Sequence, residues 1–141
     1  MYHLLYNDDG TSKSETATQL VFYIVAYNYC MSNNIDLSRE CDPGCGELDF
    51  KLSSGFHDKV LIEVKLSSNN RLSHGLTCQL PAYQKAENTA KGILLIIRLK
   101  ASDDKRIEKV IELRQKMFEK FGKAPEIVVV DATWKPSASK L

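Results

Sequence analysis

The spacing of hydrophobic and polar residues changes several times along the chain, and these changes predict its helices and strands. Apolar residues on most sides of residues 14–32 predict a first helix, which we expect to be buried against a sheet. Its N-cap is predicted to be Ser14, and Glu15 follows in the first turn, where a negative charge is favoured. Alternating positions then predict strands at 35–39, 47–52 and 60–66. A second helix is predicted from about Cys78 to Asn88, after a turn over 73–77, because Pro81 fits best in a first helical turn.

The second half of the chain predicts one more strand, a helix and a final strand. Residues 92–99 are continuously apolar, as in a central strand covered on both sides. An amphipathic helix should begin at Asp103 and end at Gly122, and residues 126–131 form the last predicted strand. The order predicts an α/β fold with a central mixed sheet flanked by helices. We expect one domain over 1–141, with a core over about 14–99, a helix–strand extension over about 103–132 and a loose tail over 133–141.

The composition indicates one ordinary globular domain without a strong net charge. The 141 residues are 43% hydrophobic and carry a formal net charge of +1, so a nucleic-acid surface, if there is one, must be a local patch. The four cysteines offer one near-ligand spacing, Cys41-x-x-x-Cys45, and no second close pair, which favours reduced thiols over a metal site. The polar N-terminus shows no secretory signal, and the apolar run 20–26 is too short to span a bilayer. These features predict a cytoplasmic protein.

Candidate chemistry centres on the predicted strands 47–52 and 60–66. Residues two apart on a strand share a face, so Glu63 and Lys65 should point the same way. If the two strands pair as a hairpin, Asp49 comes to lie beside Glu63. Two neighbouring carboxylates need a proton or a cation, and an oxygen site of this kind suits Mg²⁺ or Mn²⁺. The simpler alternative for Lys65 is a structural salt bridge with Glu63.

Asp49, then Glu63-Val64-Lys65, then Gln79-x-x-x-Tyr83 resembles the motif set of the PD-(D/E)XK nuclease superfamily, in its QxxxY branch of RecB-like and lambda-exonuclease-like enzymes. The resemblance covers about 14–99. It implies a restriction-endonuclease-like α-β-β-β-α-β core and a Mg²⁺-dependent deoxyribonuclease acting in restriction, repair or phage defence. One departure is Leu48, which stands where the name of the motif has proline.

The resemblance also implies a role for each motif residue. Asp49, Glu63 and the main-chain carbonyl of Val64 would bind the catalytic Mg²⁺ or Mn²⁺. Lys65 would position or activate the attacking water. Gln79 and Tyr83 would steady Lys65 or contact a substrate phosphate.

Several assignments stay open in the sequence. Glu15 is either a surface acid at the start of a helix or a further metal ligand, as in many members of the superfamily. Arg71, Lys51 and Lys85 are candidates for holding the DNA backbone. We expect DNA as the partner, with a homodimer or larger oligomer, because two strands need two sites. The alternative function is a catalytically silent nuclease-fold module that binds DNA or assembles within a larger multidomain or multisubunit system.

Overall fold

A five-stranded sheet organises the fold in the computed structural model, which describes residues 2–136 and 138–140. Neighbours in the chain are also neighbours in the sheet. The first three strands pair antiparallel, and the third, fourth and fifth pair parallel. The predicted α/β fold with a mixed sheet is therefore confirmed. The strands are β1 (Asp36–Cys41), β2 (Leu48–Ser53), β3 (Lys59–Leu66), β4 (Gly92–Arg98) and β5 (Glu126–Asp131).

Within the described residues, four α-helical segments flank the sheet: α1 (Glu15–Ser32), α2 (Leu72–His74), α3 (Leu80–Glu87) and α4 (Asp104–Phe121). A π-helical turn over Gly75–Gln79 joins α2 to α3, so one helical path runs over residues 72–87. We call this path the 72–87 helix.

The predicted turn over 73–77 is wrong, because these residues are already helical. The main-chain N–H of Leu80 bonds to the carbonyl of Gly75, five residues earlier. This wider π turn lets the helix continue through Pro81, which lacks an N–H donor and would interrupt a regular α-helix at that point.

Helix ends follow the local chemistry of the sequence. The Ser14 hydroxyl accepts a hydrogen bond from the Ala17 N–H at 3.2 Å, as an N-cap does. Gly122 ends α4 with φ +70°, in the left-handed region that glycine adopts without a steric penalty. Both predicted boundaries are confirmed.

Two hydrophobic cores lie on opposite faces of the sheet. On one face α3 and α4 cover a core that includes Leu61 and Leu94, and on the other α1 covers a core that includes Val64 and Leu95. β4 contributes alternate residues to both cores, which is why its sequence is continuously apolar. Strand β3 is likewise buried on both faces, and it carries two of the candidate catalytic residues.

The expectation that α1 is buried holds for only one side of the helix. Val21 and Phe22 pack partly buried against the sheet, whereas Ile24 is 67% exposed and Met31 is 62% exposed. No other part of the described chain covers that outer side. Within α1 only Thr18 and Cys30 are buried. The sequence is apolar on most sides of the helix, but the described fold supplies a covering surface on one side alone.

The remaining segments add little around the candidate site. Trp134 in the predicted tail is 52% exposed, and Ser137 and Leu141 of that tail lie outside the described residues. Among the helices described, none has the combination of length and apolar character needed to cross a membrane.

Candidate active site

β2 separates from β3 at Asp49. The pairing of the two strands runs from Ser53 opposite Lys59 to Phe50 opposite Ile62 and is not continued beyond that pair. Further along, the Val64 N–H donates to Asp49 Oδ2 at 2.8 Å. A side-chain carboxylate thus takes the place of a main-chain partner, and a gap opens between the strands.

The direction of the β2 side chains also changes at this point. Leu48 and Phe50 are two residues apart, yet Leu48 belongs to the core under α3 and α4 while Phe50 belongs to the core under α1. Glu40, between the residues of β1 that pair with these two, has φ +49°. Asp49 therefore sits at a local distortion of the sheet.

Glu63 and Lys65 form a buried ion pair on β3. The two residues are 1% and 9% exposed, and Lys65 Nζ lies 2.9 Å from Glu63 Oε1. The other carboxylate oxygen, Glu63 Oε2, is buried and has no hydrogen-bond partner in the described chain. A buried acceptor left in this way is costly, so its retention needs a ligand or a functional reason.

The pKa values show how strongly these groups interact. Burial, followed by the negative charge of Glu63, raises the pKa of Asp49 from 3.8 to about 7. Burial also raises the pKa of Glu63, although Lys65 opposes this effect. Burial alone would lower the pKa of Lys65, but its hydrogen bond and charge interactions with Glu63, and the charge of Glu15, raise it. Lys65 is therefore a protonated ammonium at neutral pH.

α1 contributes two further side chains. Glu15 Oε1 lies 3.5 Å from Lys65 Nζ, and Glu15 Oε2 accepts from Asn69 Nδ2 at 3.1 Å. Gln19, one turn further along the helix, donates from Nε2 to Asp49 Oδ1 at 2.8 Å. Asp49, Glu63, Lys65 and Glu15 thus form one group, which we call the carboxylate–lysine cluster. The first turns of α1 contact it at Lys65 and at Asp49.

The 72–87 helix borders the cluster on the opposite face. A Cβ built on Gly75 would lie 3.5 Å from Lys65 Cε and 3.7 Å from Gln79 Oε1, so both side chains border a residue that has no side chain. The Tyr83 hydroxyl donates to the main-chain carbonyl of Glu47 at 2.8 Å. Tyr83 therefore anchors the entry to β2, and its described bond is not to Lys65.

The three candidate DNA-binding residues occupy different surroundings. Lys51 pairs with Glu87 at 3.5 Å and is only partly exposed. Arg71 is exposed, and its main-chain N–H bonds to the Asn69 side chain, which places it near the Glu15 side of the cluster. Lys85 is exposed on the far side of the 72–87 helix, in a separate cleft.

Sequence reasoning gave no role to Gln19, Asn69 or Gly75. The signal for Gln19 was its position four residues after Glu15, on the same helical face. Asn69 follows Lys65 in a polar loop, where a turn residue needs no further explanation. Gly75 carries no signal in the sequence, because its importance comes from the closeness of Lys65.

The donor set of the cluster fits a small, hard divalent cation. Asp49, Glu63 and Glu15 carry three negative charges when ionised against one positive charge on Lys65, and Glu63 Oε2 is unpaired. Carboxylate oxygens of this kind bind Mg²⁺ and Mn²⁺. Over residues 2–136 and 138–140, no group of three or more His, Cys, Asp or Glu side chains is arranged to hold a metal ion. The predicted set of two carboxylates and the Val64 carbonyl is smaller than such a group.

The described fold and cluster define an α/β domain with a charged site where two antiparallel strands separate. The chain belongs to the DUF8371 family, described as a domain of unknown function, whose profile matches residues 1–101. That range includes every side chain of the cluster and ends before α4 and β5. No curated protein and no solved structure matches the chain.

Proposed function

We propose that this domain is a divalent-metal-dependent nuclease that hydrolyses DNA phosphodiester bonds, with a restriction-endonuclease-like core and a QxxxY-type PD-(D/E)XK motif set. The observation that carries the proposal is the convergence of Asp49, Glu63 and Lys65 at the gap between β2 and β3. The element order and the strand directions over 15–98 agree with the α-β-β-β-α-β core of that superfamily.

Asp49, Glu63 and the Val64 carbonyl would hold the Mg²⁺ or Mn²⁺ ion. When bound, the ion would neutralise negative charge on the scissile phosphate and on the leaving oxygen. Two observations support this assignment: Glu63 Oε2 is buried without a partner, and burial and the charge of Glu63 raise the pKa of Asp49, so a cation would relieve both. Glu15 is assigned a different task, because its oxygens engage Lys65 and Asn69.

Lys65 would act as a charged donor rather than as a base. Its raised pKa keeps the ammonium protonated, so it can hold a water molecule by hydrogen bonding and stabilise charge that develops on the phosphate. That water would attack phosphorus and lose a proton to the surrounding solvent, the bond from phosphorus to the leaving sugar oxygen would break, and this oxygen would take up a proton from the solvent in return. Glu63 and Glu15 hold the ammonium from two sides.

The test is cleavage of linear and circular DNA, in single- and double-stranded form, with Mg²⁺, Mn²⁺ or Ca²⁺. Glu63→Gln and Lys65→Arg should each lower cleavage by about 100-fold or more, the usual effect of losing a group that stabilises transition-state charge. Glu87→Gln is the matched control, because Glu87 is also a carboxylate shielded from solvent and paired with lysine, away from the cluster. Cleavage by Lys65→Arg and Glu63→Gln at the wild-type rate would disprove the proposal.

A second candidate function is a catalytically silent module for assembly, and the exposed apolar side of α1 favours it. Leu20, Ile24 and Val25 are each more than 40% exposed, and Glu15 is the single charged residue in α1. Such a surface is typical of a protein contact, which would also agree with the proposed dimer or larger complex. Calorimetry that found no Mg²⁺ or Mn²⁺ binding, together with concentration-dependent association in sedimentation, would favour assembly over hydrolysis.

A further inference from the structure

A separate cleft lies on the far side of the 72–87 helix from the carboxylate–lysine cluster. It has a volume of about 690 Å³, within the range of about 300–1,000 Å³ that small-molecule sites occupy. The C-terminal part of the 72–87 helix forms one wall, and the end of α4 with the loop after it forms the other. Three side chains from the α4 side, Met117, Phe121 and Lys123, lie beyond the residues matched by the family profile.

The charge around this cleft has one sign. Lys85 and Lys123 line it from opposite walls, and no Asp or Glu is among its described lining residues. Both lysines are exposed, and within residues 2–136 and 138–140 neither ammonium has an ion-pair partner. Most other lysines near the helix are neutralised, as Lys51 and Lys59 are by Glu87. The cleft is therefore complementary to an anion.

The floor of the cleft is apolar and includes an exposed aromatic ring. Phe121 is 60% exposed, and Met117 and Pro125 line the cleft with it. Lys120 Nζ lies over one face of the Phe121 ring, 5.1 Å from its centroid, which brings a further positive charge to the ring and leaves its other face for stacking. Asn88, on the other wall, offers an amide that can both donate and accept hydrogen bonds and that has no bond within the described chain.

We propose that this cleft binds a nucleotide unit, with its phosphate between Lys85 and Lys123 and its base stacked on Phe121. A flat aromatic ring combined with a negative phosphate matches both the exposed phenyl ring and the two lysines, and the Asn88 amide can bond to a base edge. Aromatic stacking beside a basic groove is how many proteins hold unpaired nucleotides without reading sequence. The proposal rests on the cleft alone and does not require the hydrolysis proposed above.

A nucleotide unit can come from two sources, a free mononucleotide or a single-stranded oligonucleotide. Binding is measured on the full chain in the presence of EDTA, so that no cleavage occurs. Calorimetry with dTMP and AMP reports the free nucleotides, and fluorescence anisotropy with a labelled eight-residue oligo(dT) reports the strand. Mononucleotide binding identifies a free ligand. Oligonucleotide binding without mononucleotide binding identifies a strand, and either result supports the proposal provided that the cleft variants weaken it.

The decisive variants change the two lysines and the ring. Lys85→Gln/Lys123→Gln should raise Kd by about tenfold or more, with a shallower dependence on salt. Phe121→Leu keeps an apolar side chain but removes the stacking surface, and it should raise Kd about fivefold. The control is Lys100→Gln/Lys105→Gln, which makes the same change in net charge at the opposite end of α4, about 25 Å away. It should change Kd by less than about twofold.

Three results would overturn the proposal. The first is an equal loss of affinity in the control pair, which would mean that general charge alone attracts the ligand. The second is binding of hexaglutamate as tightly as the oligonucleotide, which would assign the cleft to acidic peptides. The third is undiminished binding in Lys85→Gln/Lys123→Gln. Glu63→Gln, which alters the other site, should keep its binding here, so failure of the hydrolytic proposal would leave this one testable.

Discussion

Removal of the charge of Asp49 should stabilise the metal-free protein above neutral pH. Burial and the neighbouring Glu63 raise the pKa of Asp49 from 3.8 to about 7. A carboxyl group whose folded-state pKa is above its unfolded value binds its proton more tightly when the chain is folded. The stabilisation that the protonated Asp49 carboxyl contributes is therefore fully present below about pH 4 and is lost as the pH rises through about 7. The amide side chain of Asp49→Asn is neutral at every pH, so this variant does not lose free energy of unfolding through ionisation at this position.

The size of the effect follows from the two pKa values. A rise of about 3 pH units at about 1.4 kcal/mol per unit corresponds to about 4 kcal/mol. Asp49 titrates together with Glu63, so part of this free energy belongs to the pair. We expect Asp49→Asn to raise the free energy of unfolding by about 2 kcal/mol at pH 8 and by less than about 0.5 kcal/mol at pH 4. The new side chain keeps an oxygen that can accept from the Val64 N–H.

The assay is urea unfolding followed by circular dichroism at pH 4, 6 and 8 in EDTA. Asp58→Asn is the control, because Asp58 is 59% exposed and pairs with Lys91 at the surface. Its effect should be small at each pH. Addition of Mn²⁺ at pH 8 should stabilise the wild type and leave Asp49→Asn unchanged. A variant less stable than the wild type at pH 8, or a difference that does not vary with pH, would refute the reasoning.

Three further substitutions test other parts of the structure. Gly75→Ala places a Cβ 3.2 Å from Leu94 Cδ1 and 3.5 Å from Lys65 Cε. Because the contact with Leu94 is tight, side chains beside Lys65 must shift slightly, so cleavage should fall about tenfold while thermal unfolding shows a stability change within about 1 kcal/mol. Burial opposes ionisation of Glu87, but its two lysine partners hold its pKa below the usual value. Glu87→Gln should therefore cost about 1 kcal/mol in urea at pH 7, and progressively less as the pH falls below the ordinary glutamate pKa of 4.5 and the carboxylate becomes protonated. Ser67→Ala removes the 2.6 Å bond to buried Asp103, and the midpoint of urea unfolding should show a loss of about 2 kcal/mol. A urea midpoint for Ser67→Ala equal to that of the wild type would contradict the stabilising role of the Ser67–Asp103 bond. A Glu87→Gln effect independent of pH would contradict the stabilising role of the ionised Glu87 carboxylate.

Strand periodicity was enough to predict the geometry of β3. Because residues alternate across a strand, Glu63 and Lys65 had to share a face, and the structure brings them to 2.9 Å. The position of Asp49 required one more assumption, the hairpin pairing of β2 with β3. That pairing exists, but the local change of direction at Asp49 could not be read from the alternation of Leu48 and Phe50.

Features that depend on packing could not be predicted from the sequence. The apolar sequence of α1 predicts burial, yet burial of Ile24 or Met31 requires a covering surface that the described chain does not supply. Pro81 predicts a helix start, because a π turn that tolerates it has no sequence signature of its own. The sequence predicts an amphipathic helix for α4, but the cleft beside Phe121 exists only once the 72–87 helix lies next to it.

The central position of β3 has a consequence for hydrogen exchange. β3 pairs antiparallel with β2 only as far as Ile62, but it pairs parallel with β4 from Leu61 to Leu66, and Leu61 to Ser67 are all buried. Such amides exchange with deuterium only when the whole domain opens, whereas frayed ends and surface loops exchange through small local fluctuations. The amides of Glu63 and Lys65 should thus be among the slowest in the protein, and mild heating should leave the pair assembled until the domain unfolds.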